Sequence, residues 1–194
     1  MDRVADPQVE GVLWFAPTGH TLRGAFRGYW EQQGGLPQFG YPLTEEFSEY
    51  IPAVHASYTV QYFQRNRFEG HPEYAGTAHA VLLGLLGSDV TAGAVFPMSP
   101  AFPSSPGNRY FPETHHSLGG GFLAYWQRHG GLPIYGYPIS EELLEQSTSD
   151  RRVYLVQYFE RNRFELHPEH RGTPAEIQLG LLGADLLQRR GWLP

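Results

Sequence analysis

The densest set of residues able to do chemistry is the stretch Gln61-Tyr62-Phe63-Gln64-Arg65-Asn66-Arg67-Phe68-Glu69-Gly70-His71-Pro72-Glu73, which returns with few changes between Gln157 and Glu169. Arginine forks give bidentate hydrogen bonds and tyrosine rings give apolar platforms, the two things a hydroxyl-rich ligand such as a sugar asks of a protein. On that ground the candidate ligand-binding residues are Tyr62, Arg65, Arg67 and Glu69, with Tyr158, Arg161, Arg163 and Glu165 in the second occurrence. The competing reading is an ion-pair lattice that holds a hairpin to a helix.

Catalytic signatures are sparse. Glycoside hydrolysis needs two carboxyl groups about 5 to 9.5 Å apart, and the best pair on offer is Glu69 with Glu73 or Glu45, which nothing in the sequence orders. There is no Gly-x-Ser-x-Gly, phosphate loop or dinucleotide fingerprint. His20, His71, His116 and His167 recur, but without paired-ligand spacing, and the absence of cysteine removes thiolate zinc sites and cysteine nucleophiles. No catalytic residue, cofactor or metal ligand is assigned. Trp30 and Trp126, tempting as sugar platforms, share a helical register with Phe26 and Phe122 and read as core.

The elements that must position these residues come from a repeat. Residues 14–90 return as 110–186 at a fixed offset of 96, leaving an N-terminal arm (1–13), a connector (91–109) and a C-terminal tail (187–194). Each copy opens with a helix signal, Leu22, Phe26, Tyr29 and Trp30 on one face, closed by Gly34-Gly35. The following Leu-Pro-x-x-Gly-Tyr-Pro segments read as an aromatic-pinned loop, because each proline removes a donor. Thr44-Glu45-Glu46-Phe47 and Ser140-Glu141-Glu142-Leu143 read as capped short helices. Residues 50–57 and 146–153 share nothing between copies and suit surface loops.

A hairpin follows, with Arg65-Asn66 as the reversal and Phe63 opposite Phe68; a longer loop would shift this register. The closing segment from Thr173-Pro174-Ala175-Glu176 reads as a capping box before a helix through Ile177, Leu181 and Ala184, a buried strand being the alternative. Pro97, Pro100, Pro103 and Pro106 recur at the polyproline II period, so the connector is either a semi-rigid spacer or a strap with Phe96 and Phe102 docked. The expected fold is α+β: a tandem duplication, each copy with helices packed on a small antiparallel sheet, the copies related by pseudo-two-fold symmetry.

With 194 residues the chain can bury about 70% of its unfolded surface. A net charge of −6 speaks against a nucleic-acid partner, which calls for a basic stripe. No apolar run is long enough to span a membrane, and the first residues lack the pattern of a signal peptide.

Phe39-Gly40-Tyr41-Pro42 and Tyr135-Gly136-Tyr137-Pro138, each after a Tyr-Trp helix and a Gly-Gly-Leu-Pro turn, resemble bacterial LGFP-repeat modules. The likeness covers about a third of each copy and departs at two of the four name-giving positions. It implies an extracellular or cell-surface setting and attachment to cell-wall glycan. Three functions follow as expectations. The first is a non-catalytic module binding cell-envelope or other polysaccharide with one weak site per repeat, the second a structural or protein-interaction module that meets a partner through the variable loops. The third is a small glycan hydrolase using Glu69 or Glu165.

Overall fold

The structure, a computed structural model, describes residues 2–148 and 150–193. Along the chain run β1 (Leu13–Phe15), β2 (His20–Leu22), α1 (Gly24–Gln32), α2 (Gly35–Phe39), β3 (Phe47–Ile51), β4 (Ala56–Tyr62), β5 (Arg67–Gly70), β6 (Val81–Leu83) and α3 (Leu86–Val90). They are followed by β7 (Asn108–Phe111), β8 (His116–Gly119), α4 (Gly120–Arg128), α5 (Gly131–Tyr135), β9 (Leu143–Gln146), β10 (Val153–Tyr158), β11 (Arg163–Leu166), β12 (Ile177–Leu179) and α6 (Leu182–Arg189). The architecture mixes α and β, with small antiparallel sheets and six helices among the described residues.

Two compact units form, and they do not follow chain order: one holds Met1–Gly84 with Leu181–Pro194, the other Leu85–Gly180. In the first unit, β1 and β2 make a hairpin, and β3, β4, β5 and β6 pair in that order. Phe39, Val60, Phe63 and Phe68 are fully buried in its core. Phe68 gathers Phe63 at 4.2 Å, Phe39 at 4.8 Å and Phe26 of α1 at 5.8 Å between ring centroids. Each such ring stabilises the fold by about 1.5–3 kcal/mol through burial. In the second unit, β7 and β8 form the two-stranded hairpin and β9, β10, β11 and β12 the four-stranded sheet.

Local structure departs from the sequence pattern in several places. Leu22 ends β2, fully buried, and α1 starts only at Gly24. The Leu-Pro loop begins as a helix, α2, because Pro37 lies in its first turn, where no intrahelical donor is needed. Thr44-Glu45-Glu46 forms no helix. Thr44 is buried and its hydroxyl accepts the Tyr62 amide at 3.1 Å, so its oxygen serves the sheet instead of a helix end. Ser140 does the same for Tyr158 at 2.9 Å. The closing helix also starts later than the capping box suggests: Ile177–Leu179 is a strand paired with β11, and the helix begins at Leu182. Glu176 is drawn into the preceding turn, accepting the Gly172 amide at 2.9 Å.

The hairpin turn is shifted by one residue. Tyr62 pairs with Arg67, and the Phe63 amide donates to the Asn66 carbonyl, leaving Gln64-Arg65 as the reversal. The cause lies outside the hairpin: the amides of Gln64 and Arg65 donate to the carbonyls of Tyr41 and Phe39 at 3.0 and 3.1 Å. The aromatic loop therefore selects the turn. Of the connector, Phe96 stacks on Tyr158 at 5.8 Å and Phe102 meets Tyr110 at 5.8 Å, so both aromatics dock within the second unit.

Candidate functional site

Strand alternation puts Tyr62, Arg67 and Glu69 on one face of the β4–β5 hairpin. Arg67 holds Glu69 with two donors at 2.6 and 2.9 Å and donates to the Tyr62 hydroxyl at 3.2 Å. The Tyr62 hydroxyl in turn donates to Glu49 at 2.8 Å. Arg190, beyond α6, closes the set, reaching Glu49 at 2.8 Å and the Tyr62 oxygen at 2.9 Å, while Trp192 lies edge-on to Tyr62 at 6.4 Å. Tyr62 is 0%, Arg67 3% and Glu69 8% exposed. Burial pushes the Tyr62 hydroxyl above its ordinary range, against the pull of Arg67. The face is occupied by its own partners.

Tyr158, Arg163 and Glu165 repeat the arrangement. Arg163 reaches Glu165 at 2.6 Å, Tyr158 at 3.1 Å and Glu145 at 3.0 Å, and all three named residues are buried. Phe96 covers Tyr158 as Trp192 covers Tyr62. Arg65 and Arg161 stand apart from these sets, half-buried at the turns, with Arg161 within 3.4 Å of the Leu132 carbonyl. The structure thus joins three of the four candidates in each unit and places them inside.

The carboxylates weighed for hydrolysis are committed elsewhere. Glu69 takes both of its short contacts from Arg67, at 2.6 and 2.9 Å, so the oxygen that would face a substrate is already engaged by the guanidinium. His71 stands between Glu73, at 2.8 Å from Nδ1, and Glu69, at 3.6 Å from Nε2, with Tyr58 against its ring at 4.1 Å. Tyr154, His167 and Glu169 form the counterpart, and there a hydrogen bond to Asp150, with burial adding to it, pushes the Tyr154 hydroxyl up to about 12. Glu45 belongs to another cluster. It accepts the Thr21 amide at 2.8 Å and the Thr21 hydroxyl, and lies 3.3 Å from His20 Nδ1. Burial lowers the His20 pKa, against the raising effect of Glu45. Gln61 ties this hairpin to the sheet through the carbonyls of Thr21 and Thr44 at 2.7 and 2.8 Å, the reason a glutamine opens the motif.

Open surface lies elsewhere. A groove of about 650 Å³ in the second unit is bordered by Tyr125, Arg128 and His129 of α4 and its cap, and by Thr173, Glu176 and Ile177 across from them. His129 stacks on Tyr125 at 4.1 Å with 25° between planes, its Nδ1 2.9 Å from the Tyr125 carbonyl. Aromatic, cationic, anionic and hydroxyl groups face one space. In the first unit a shallower groove of about 370 Å³ is bordered by Ser48, Tyr58, Thr59, His71 and Pro72. The α4 groove lies away from the hairpin motif. Its signal in the sequence is the pair Arg128-His129 at a helix end, where the residues 96 positions earlier are Gln32-Gln33. Comparison with protein-family models, with characterised proteins and with solved structures returns no match.

Proposed function

We propose that the chain is a non-catalytic binding module for cell-envelope or other polysaccharide, offering a weak site in each repeat through its open grooves and not through the hairpin face. The observation that carries the reading is the Tyr125–His129 stack beside Arg128 and Glu176 in a groove of about 650 Å³. That volume lies within the range of small-ligand sites, and a flat aromatic pair next to charged donors and acceptors suits the apolar face and hydroxyl rim of a sugar. The LGFP-like Phe39-Gly40-Tyr41-Pro42 and Tyr135-Gly136-Tyr137-Pro138 support an extracellular or cell-surface setting. Tandem duplication belongs to the same reading, supported by the offset of 96 and by lattice contacts that recur at that offset. Tethered weak sites raise avidity by about 10² to 10⁴ when both engage one polymer.

The experiment is retention of the full chain on insoluble peptidoglycan together with a glycan array, repeated with Tyr125→Ala and His129→Ala. Binding that falls at least fivefold in either variant is the expected result. Blank assays for the unaltered chain, or binding indifferent to both changes, dispose of the proposal. One observation favours the second reading, a protein-interaction module: the residues most fully shared between copies are buried in ion-pair lattices and build the fold. Residues 50–57 and 146–153, expected as surface loops, include strand ends of β3, β4, β9 and β10; exchanging these segments separates the two readings, since it abolishes partner capture under that one and leaves glycan retention intact under the first.

A further inference from the structure

Each unit is completed by a segment attached to a strand of the other unit's sheet. In the first unit the closing segment is Leu181–Pro194, covalently continuous with β12, whereas in the second it is α3 and the connector, continuous with β6. The two segments do the same work. The Ala184 amide donates to the Gln64 carbonyl at 3.2 Å, and the Ser88 amide to the Glu160 carbonyl at 3.1 Å. Gly183 lies against the Phe63 carbonyl so closely that a Cβ would overlap it, as Gly87 does against Phe159. Leu182 and Leu187 of one segment and Leu86 of the other are almost fully buried. Trp192 and Phe96 then cover Tyr62 and Tyr158. Both segments begin Leu-Leu-Gly and reach aspartate two residues later, at Asp89 and Asp185.

We propose that the cleft at the Gln64-Arg65 turn is an interaction surface for the closing segment of a second copy of this chain, so that two chains associate by exchanging Leu181–Pro194. The partner follows from the contacts. Every group that seats the segment is met identically by the same segment of another molecule, so exchange costs no contact and is governed by concentration against the tether. Short tethers give effective concentrations of the order of millimolar, so dimer is scarce at about 10 µM and abundant near about 1 mM.

The test uses the full chain with Gln64→Cys and Ala184→Cys as separate variants, unfolded together, refolded and oxidised. A disulfide-linked heterodimer whose yield rises with concentration is expected, while the chain carrying both changes closes on itself. Self-closure of that chain without any heterodimer in the mixture overturns the proposal. Should the paired cysteines fail to close in one chain, light scattering on the unaltered protein decides: refolding at about 1 mM should give dimer that returns to monomer after dilution to about 10 µM, and monomer at every concentration overturns it. None of this depends on glycan binding.

Discussion

Gly183→Ala isolates the closing contact with a single methyl group. The added Cβ would overlap the Phe63 carbonyl oxygen and stand 3.1 Å from its carbon, and backbone on both sides leaves no flexible atom to give way. The start of α6 must therefore withdraw by about an ångström, which breaks the 3.2 Å hydrogen bond from Ala184 to Gln64, a loss of about 1 kcal/mol. Withdrawal also lifts Leu182 and Leu187, now 1% and 0% exposed. Re-exposing half of each costs about 1.5–3 kcal/mol. Alanine returns about 0.5–1 kcal/mol through helix propensity. The net destabilisation is about 2–3 kcal/mol, or about 4–12 °C in Tm for a chain of this size. Gly28→Ala is the matched control. It lies inside α1 with nothing within 4 Å of the added Cβ, so the same change should stabilise by about 0.5–1 kcal/mol. Thermal unfolding followed by circular dichroism reads both. Equal shifts of one sign, or a neutral Gly183→Ala, would refute the assignment of α6 to the Phe63 turn.

Three further outcomes are expected. Arg67→Met leaves the buried Glu69 without its guanidinium and should cost about 3–5 kcal/mol in urea unfolding, whereas Arg67→Met with Glu69→Leu should recover most of it; a double variant as unstable as the single one contradicts the lattice. Thr44→Val keeps the shape of a fully buried side chain but removes the acceptor of the Tyr62 amide, so a loss of about 1–3 kcal/mol is expected, and a neutral result means another acceptor takes over. Burial holds the His20 pKa below its ordinary 6.5, so just below that pH the unfolded chain binds more protons than the folded one. Stability should then decline as pH falls below about 6.5 and level off once the folded pKa is passed. His20→Gln should flatten that part of the profile, and an unchanged slope assigns it to other groups.

Much of the local structure is legible from residue spacing. Gly34 takes a φ of 109° after α1, a conformation that favours glycine, and the apolar face of that helix identifies Phe26 as core. The hairpin pattern likewise puts Tyr62, Arg67 and Glu69 on a common face. What the pattern cannot carry is the identity of the covering groups. Arg190 and Trp192 lie more than 120 residues from Tyr62 in the chain, and no period links them. The turn at Gln64-Arg65 fails to follow local preference for a similar reason, since the carbonyls of Phe39 and Tyr41 fix it from outside. Thr44 looks like a helix cap because its hydroxyl serves a β-strand amide equally well. The α4 groove is not legible because its walls come from segments about 45 residues apart, Tyr125–His129 and Thr173–Ile177, which only the fold brings together, and because Arg128, His129 and Glu176 have Gln32, Gln33 and Ala80 at the offset of 96.

The closure of the first unit by Leu181–Pro194 also bears on how the protein is made. The ribosome releases β6 about a hundred residues before α6, which at about 5–20 residues per second is an interval of about 5–20 s. Through that interval the Phe63 turn and the Tyr62–Arg67 cluster lack Leu182, Leu187, Arg190 and Trp192, and stand open to chaperones and to neighbouring nascent chains. A pause in translation between β6 and α6 would lengthen the exposure, so the yield of this protein should respond to codon usage across residues 85–180 more strongly than elsewhere.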